Sequence, residues 1–169
     1  EWASSIYYKS SLKDYDITGS SGLIYDSLPT WVEKLTILFH DMSLSGTNQV
    51  LIKLRNGGAG SGTDITSGYN SYSANSAGGT NFSSTDGFVI GTNSASTIYS
   101  GKIELQRFAN LKWIETHSFL KTGSTGSSQN IRHGSGVLTI SNTIATGFHI
   151  DVTGTNTFDG NTRISITYQ

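Results

Sequence analysis

An antiparallel β-sandwich, jelly-roll-like and built of about eight to ten short strands, is the fold this sequence predicts. Three observations lead there. Apolar and polar residues alternate in segment after segment at the two-residue period of a strand, whereas helical periodicity is almost absent. Ser, Thr, Gly and Asn supply 78 of the 169 residues, a mixture in which β-branched Thr suits the pleat and Gly and Asn suit turns. The crossover helices that a parallel sheet requires are missing. The 11% aromatic share, set within clear alternation, argues against disorder.

Residues 1–20 read as a connector or first strand, and residues 21–169 as the sandwich. Between Ser27 and Leu35 a helical turn could form, although Pro29-Thr30 reads equally as a corner. Leu35, Ile37 and Phe39 then alternate with Thr36, Leu38 and His40. Gly46-Thr47-Asn48 punctuates, and the apolar run Val50–Leu54 follows as a hairpin partner. From Asn56 to Asp86 the chain is rich in Gly, Ser, Asn and Thr. So long a structureless loop is uncommon, and short strands are expected near Gly68–Ser73 and Asn81–Ser83.

Alternation returns at Phe88–Ile90 and at Ile98–Phe108, with Ile103 and Leu105 on one face. Leu111, Trp113, Glu115, His117 and Phe119 share the next face, with Lys112, Ile114 and Thr116 opposite; Asn110 is the expected hairpin turn. Gly123–Ser128 reads as a second polar loop. Val137–Ile140, Phe148-Ile150-Val152 and Ile164-Ile166-Tyr168 complete the strands.

Charge narrows the partners. Eleven Lys and Arg stand against twelve Asp and Glu, a net of -1, with no basic stripe to neutralise phosphates, so nucleic acid is not expected. No apolar run approaches the roughly 18 residues of a spanning helix, and membrane insertion is not expected. Cysteine is absent, which removes disulfide and thiol chemistry. The chain opens on Glu1 without a charged-then-apolar leader, so a processed product, fragment or excised domain is expected.

Catalytic signatures are weak. Gly134-Ser135-Gly136 is the nearest approach to a nucleophile elbow and reads better as a turn. The candidate carboxylates, Asp14, Asp16, Asp26, Asp64, Asp86, Glu104, Glu115, Asp151 and Asp159, show no pairing of the kind glycoside hydrolysis uses. Gly58-x-Gly60-x-Gly62 lacks both dinucleotide and P-loop spacing, so no cofactor is expected. His149-x-Asp151 places two potential metal ligands on one strand face, but the spacing follows equally from Phe148, Ile150 and Val152 pointing inward. Asp151, Asn156, Asp159 and Asn161 are oxygen donors close in sequence, without the EF-hand spacing.

The aromatics divide by context. Trp31, Phe39, Trp113, Phe148 and Phe158 lie in apolar alternation and are expected in the core. Tyr69, Tyr72, Tyr99, Trp2, Tyr7 and Tyr8 lie in polar stretches, where an exposed ring suits sugar faces and protein interfaces. Tyr with Ser, Gly and Asn is also the mixture used by adaptable binding loops. Tyr69 and Tyr72 are accordingly the candidate contact residues, with Asn70 and Asn75 as hydrogen-bond partners. The competing reading is that the tyrosines pin a long loop to the sandwich.

Several segments together carry a resemblance. Leu35-Thr-Ile-Leu-Phe39-x-Asp41-Met-Ser43-x-Ser45-Gly46-x-x-Gln49-Val-Leu-Ile52 is followed by Gly57-Gly58 and Thr66-Ser67-Gly68-Tyr69-x-Ser71. Gly101-x-Ile103-x-Leu105 precedes Trp113, and Thr155-x-Thr157-Phe158-Asp159-Gly-Asn161-x-x-Ile164-x-Ile166-x-Tyr168 closes the chain. This ordered set, over residues 22–169, resembles the β-sandwich domains of bacteriophage tail-fibre, receptor-binding and minor structural virion proteins. Similar phage domains carry Gly-Thr near the closing strand, where this chain has Asp159-Gly160-Asn161.

The resemblance implies a non-enzymatic, homotrimeric domain at the virion surface or otherwise extracellular. Its partner would be a host cell-surface glycan or protein receptor, or a neighbouring virion subunit. The rival readings are a carbohydrate-binding module or lectin domain of a secreted protein, and a tailspike-like polysaccharide depolymerase.

Overall fold

The computed structural model describes residues 11–79, 81–92, 95, 97–108, 111–122, 130–140 and 144–169. Every strand pairing among them is antiparallel and no helix is present. The first part of the chain forms β1 (Ser11–Asp16), β2 (Gly22–Tyr25), β3 (Lys34–Leu44), β4 (Gln49–Asn56) and β5 (Thr63–Asp64). The middle forms β6 (Tyr69–Asn75), β7 (Phe82–Ser84), β8 (Phe88–Thr92), β9 (Ile98–Arg107) and β10 (Lys112–Thr122). The last part forms β11 (Asn130–Thr139), β12 (Gly147–Val152), β13 (Phe158–Asp159) and β14 (Arg163–Tyr168). Strands outnumber the eight to ten expected because several are pairings of two or three residues.

Two sheets result. The larger runs β1-β14-β3-β9-β10-β11-β6-β7, with β13 added to β3; the smaller runs β2-β12-β4-β5, with β8 also on β4. β1 pairs with the last strand, Ser11 opposite Tyr168 and Asp16 opposite Arg163, so the segment read as a connector or first strand supplies a strand of the larger sheet.

The inward residues follow the alternation. Leu35, Ile37 and Phe39 of β3, Ile103 and Leu105 of β9, and Trp113 and Phe119 of β10 meet Val50, Ile52 and Leu54 of β4 and Phe148, Ile150 and Val152 of β12 in one core. Phe39 and Phe119 meet edge-on at 5.6 Å, and Tyr25 stacks on Phe148 at 5.3 Å, arrangements that aromatic quadrupoles favour. Apolar burial of this kind contributes roughly 25 cal/mol per Å² removed from water and is the main force closing the sandwich.

Three expectations change. Gly134-Ser135-Gly136 is not a turn but the middle of β11. Trp31 is not core: it sits 46% exposed in the corner after Pro29, where the Val32 N–H donates to the Pro29 carbonyl, and its ring leans on Tyr168. Tyr99 is buried on the inner face of β9. The stretch from Asn56 to Asp86 carries short strands where they were expected, β6 near Gly68–Ser73 and β7 near Asn81–Ser83, with turns between them. Asn110, Gly123–Ser128, Trp2, Tyr7 and Tyr8 lie outside the described residues.

Candidate binding surface

Strand β6 sends alternate side chains to opposite sides, and that periodicity sorts the four candidate residues. Tyr69, Ser71 and Ser73 point inward, while Asn70 and Tyr72 point outward. Tyr69 is 4% exposed. Its ring meets Phe88 edge-on at 5.0 Å, and its hydroxyl accepts the Leu54 N–H at 2.8 Å. Burial pushes its pKa well above the ordinary tyrosine value. Tyr69 is therefore a core residue joining the two sheets, and the contact role expected for it is withdrawn. Asn75 closes a turn instead, its Oδ1 accepting the Ala77 N–H at 3.2 Å. Asn70 and Tyr72 remain on the outer face, with Tyr72 49% exposed.

Register extends that face across the sheet. Thr36, Glu104, Thr116, Ser135, Tyr72 and Ser83 form one cross-strand row. The next row runs Lys34, Gln106, Ile114, Val137 and Asn70. Lys34 and Lys102 pair with Glu104 at 3.2 and 3.3 Å. Partial burial raises the Glu104 pKa, but the two ammonium groups outweigh it and hold the carboxyl below its usual value. Ile114 with Val137, and Leu120 with Ile131, are exposed cross-strand apolar pairs. The outer face is thus broad, rich in hydroxyls and studded with apolar groups.

Beside Asn70 lies a cleft of about 420 Å³, bordered by Gln49, Leu51, Asn70, Ser83, Asp86 and Thr153 among others. It forms where the chain leaves β7 of the larger sheet for β8 of the smaller one. A second groove, of about 770 Å³, crosses the outer face over Leu38, Lys102, Ser118 and Arg163.

One constellation was not expected. The inward face of β10 brings Glu115 and His117 into the core, and His117 bridges Glu115 Oε1 at 2.7 Å and Ser73 Oγ at 2.9 Å. The members are those of a catalytic triad, but the proton on Ser73 is already committed. Ser73 Oγ lies 2.9 Å from the Ile90 carbonyl, which can only accept, so Ser73 donates there and His117 Nε2–H donates to Ser73. A nucleophilic serine must give its proton to the histidine, the reverse of this arrangement.

The trio is a buried structural bridge. With Ser71 Oγ accepting the Val89 N–H at 3.0 Å, it ties β6 and β10 to β8. Burial raises the Glu115 pKa, partly offset by His117. The signal was present in the sequence, since Glu115 and His117 alternate with Trp113 and Phe119, and charged groups facing a core must find partners.

The His149-x-Asp151 pair does share a face of β12, but each side chain has a different partner. His149 Nδ1 meets Asp64 Oδ2 at 2.8 Å, and Lys53 reaches Asp151 at 2.6 Å. Arg55 bridges Asp26 at 2.6 Å and Asp64, completing a charged cluster on the smaller sheet. Asp159 and Asn161 border a separate cleft with Asp41 and Ser43, apart from Asp151. Among the described residues no group of three or more His, Cys, Asp or Glu side chains is placed to hold a metal.

Comparison with protein-family models, with curated proteins and with solved structures finds no match to this chain.

Proposed function

We propose that this chain is a non-catalytic recognition domain. More particularly, it is a virion domain of the phage tail-fibre type that grips a host-surface glycan or protein, or a neighbouring subunit. The observation that carries the reading is the outer face of the larger sheet around Asn70 and Tyr72. There a half-exposed aromatic ring stands among rows of Ser and Thr and beside a polar cleft, on a rigid sheet rather than a loop. A ring held on a strand loses little conformational freedom on binding, which favours affinity. The resemblance over residues 22–169 supplies the setting: a homotrimer exposed at the particle surface.

The reading is tested by fluorescent labelling of the protein and its attachment to a panel of bacterial cells. The parent should adhere to at least one strain. Tyr72→Ala with Asn70→Ala should weaken adhesion about tenfold while far-UV signal and melting temperature hold. Uniform absence of attachment across the panel, by a chain shown to be folded, would overturn it.

A further inference from the structure

The cleft beside Asn70 has a chemistry of its own. Leu51 supplies its one aliphatic wall, and the remaining bordering side chains are amides, hydroxyls and the carboxylate of Asp86. Among the described residues no Lys, Arg or His borders it. Lys53 passes close by, since a Cβ on Gly87 would lie 3.1 Å from its stem, but its ammonium is held by Asp151. An anionic ligand would therefore meet Asp86 without a compensating cation. A cation would find a single carboxylate, far short of the six to eight oxygens that calcium collects.

What suits this lining is a neutral molecule that both donates and accepts hydrogen bonds at short intervals. We infer that the cleft is a site for a neutral pyranose residue. This rests on the recognition role proposed above and names the ligand class for it.

The hydrogen bonds already made leave the required groups available. Asp86 N–H donates to Ser84 Oγ at 3.1 Å, which sets the backbone at the turn, and the exposed Asp86 carboxylate has Oδ1 3.5 Å from Thr85 Oγ1 and Oδ2 open. Thr153 Oγ1 accepts the Gln49 N–H at 3.0 Å and keeps its own proton to give. The exposed carboxylate accepts from two adjacent sugar hydroxyls, the Asn70 amide donates and accepts in return, and Leu51 lies against ring C–H groups. The volume falls within the roughly 300–1,000 Å³ of small-molecule sites. Tyr72 stands two residues along β6 from Asn70 and opposite Ser83, both cleft residues. A saccharide chain leaving the cleft along the sheet then meets the Tyr72 ring, whose face stacks on a second sugar.

The test uses the whole chain on an array of neutral and acidic oligosaccharides, followed by saturation-transfer NMR with the methyl glycosides of glucose, galactose, mannose and N-acetylglucosamine. Neutral glycans should bind. Asp86→Asn should weaken that binding by about tenfold or more, and Asn70→Ala by several-fold, with unchanged melting temperature. Preference for acidic glycans, or neutral binding that survives Asp86→Asn, overturns the assignment. Adhesion to cells together with no neutral glycan bound overturns the pyranose site and leaves the recognition role standing. Neutral glycan bound with no adhesion to any cell does the reverse.

Discussion

Replacing Tyr69 with Ala should lower stability by about 3–5 kcal/mol, because a buried aromatic and its packing against Phe88 are lost. Tyr69→Phe keeps the ring but orphans the Leu54 N–H, for a smaller loss of about 1–3 kcal/mol. Tyr72→Ala should stay within about 0.5 kcal/mol of the parent. Urea denaturation of the three variants reads this ordering directly, and a large loss for Tyr72→Ala would place that ring in the fold rather than on the binding face. From sequence the two tyrosines were indistinguishable. Both lie among Ser and Asn, and the partners that separate them, Phe88 and Leu54, arrive from a different sheet. Trp31 failed for a related reason, since apolar neighbours in sequence gave no hint that its corner carries it away from the core.

At the scale of the element, β11 shows why some local signals misled. Gly134 and Gly136 suggest a turn, but they occupy mid-strand because neighbouring side chains need the room. A Cβ on Gly134 would fall 2.4 Å from His117 Cε1 and 2.1 Å from the Tyr72 carbonyl. Gly134→Ala should therefore cost about 2 kcal/mol or more, measurable as a fall in the urea midpoint. His117→Ala leaves Glu115 buried without a partner and should cost about 3–5 kcal/mol, more than Glu115→Gln, which retains a hydrogen-bonding side chain. β6 was only faintly legible for a complementary reason. Its inward positions at Ser71 and Ser73 are polar, spent on hydrogen bonds to β8, so the hydropathy alternation that marks β3, β10 and β12 is absent there.

The β4–β5–β12 cluster makes a prediction about pH. Partial burial raises the Asp64 pKa, but His149 and Arg55 outweigh it and the folded value lies below 3.8. The stability this contributes is present above the unfolded value and is lost as pH falls through the folded one. Glu115 acts with the opposite sign. Its folded pKa is raised above 4.5, so the folded state holds the proton longer, and stability declines as pH rises from the unfolded value through the folded one. Asp64→Asn should accordingly flatten the loss of stability below about pH 4 and leave the limb governed by Glu115 unchanged. Melting temperatures from pH 3 to 7 report both limbs; an acid limb as steep as the parent's would remove Asp64 from the account.

For the whole molecule, the architecture was the most legible property. Period-two patterning in β3, β9, β10, β12 and β14 named the inward residues, and the core they form is the one the structure contains. Sheet order was not legible, because no local pattern states that β6 lies beside β11, or that β8 leaves the larger sheet for β4. The proposed trimer is also tested at this scale. Light scattering should give a mass near three times the 18.1 kDa chain. The exposed pair Leu120–Ile131, away from the rows of Asn70 and Tyr72, offers apolar surface for burial between copies. A monomer that persists at high concentration would remove three-fold assembly from the proposal.

The pairing of β1 with β14 brings Ser11 opposite Tyr168. Antiparallel partners sit about 5 Å apart, so the outer ends of the first and last described strands share one corner of the larger sheet, like the two halves of a clasp. Asn70 and Tyr72 lie across the width of the sheet from that clasp, near its opposite edge.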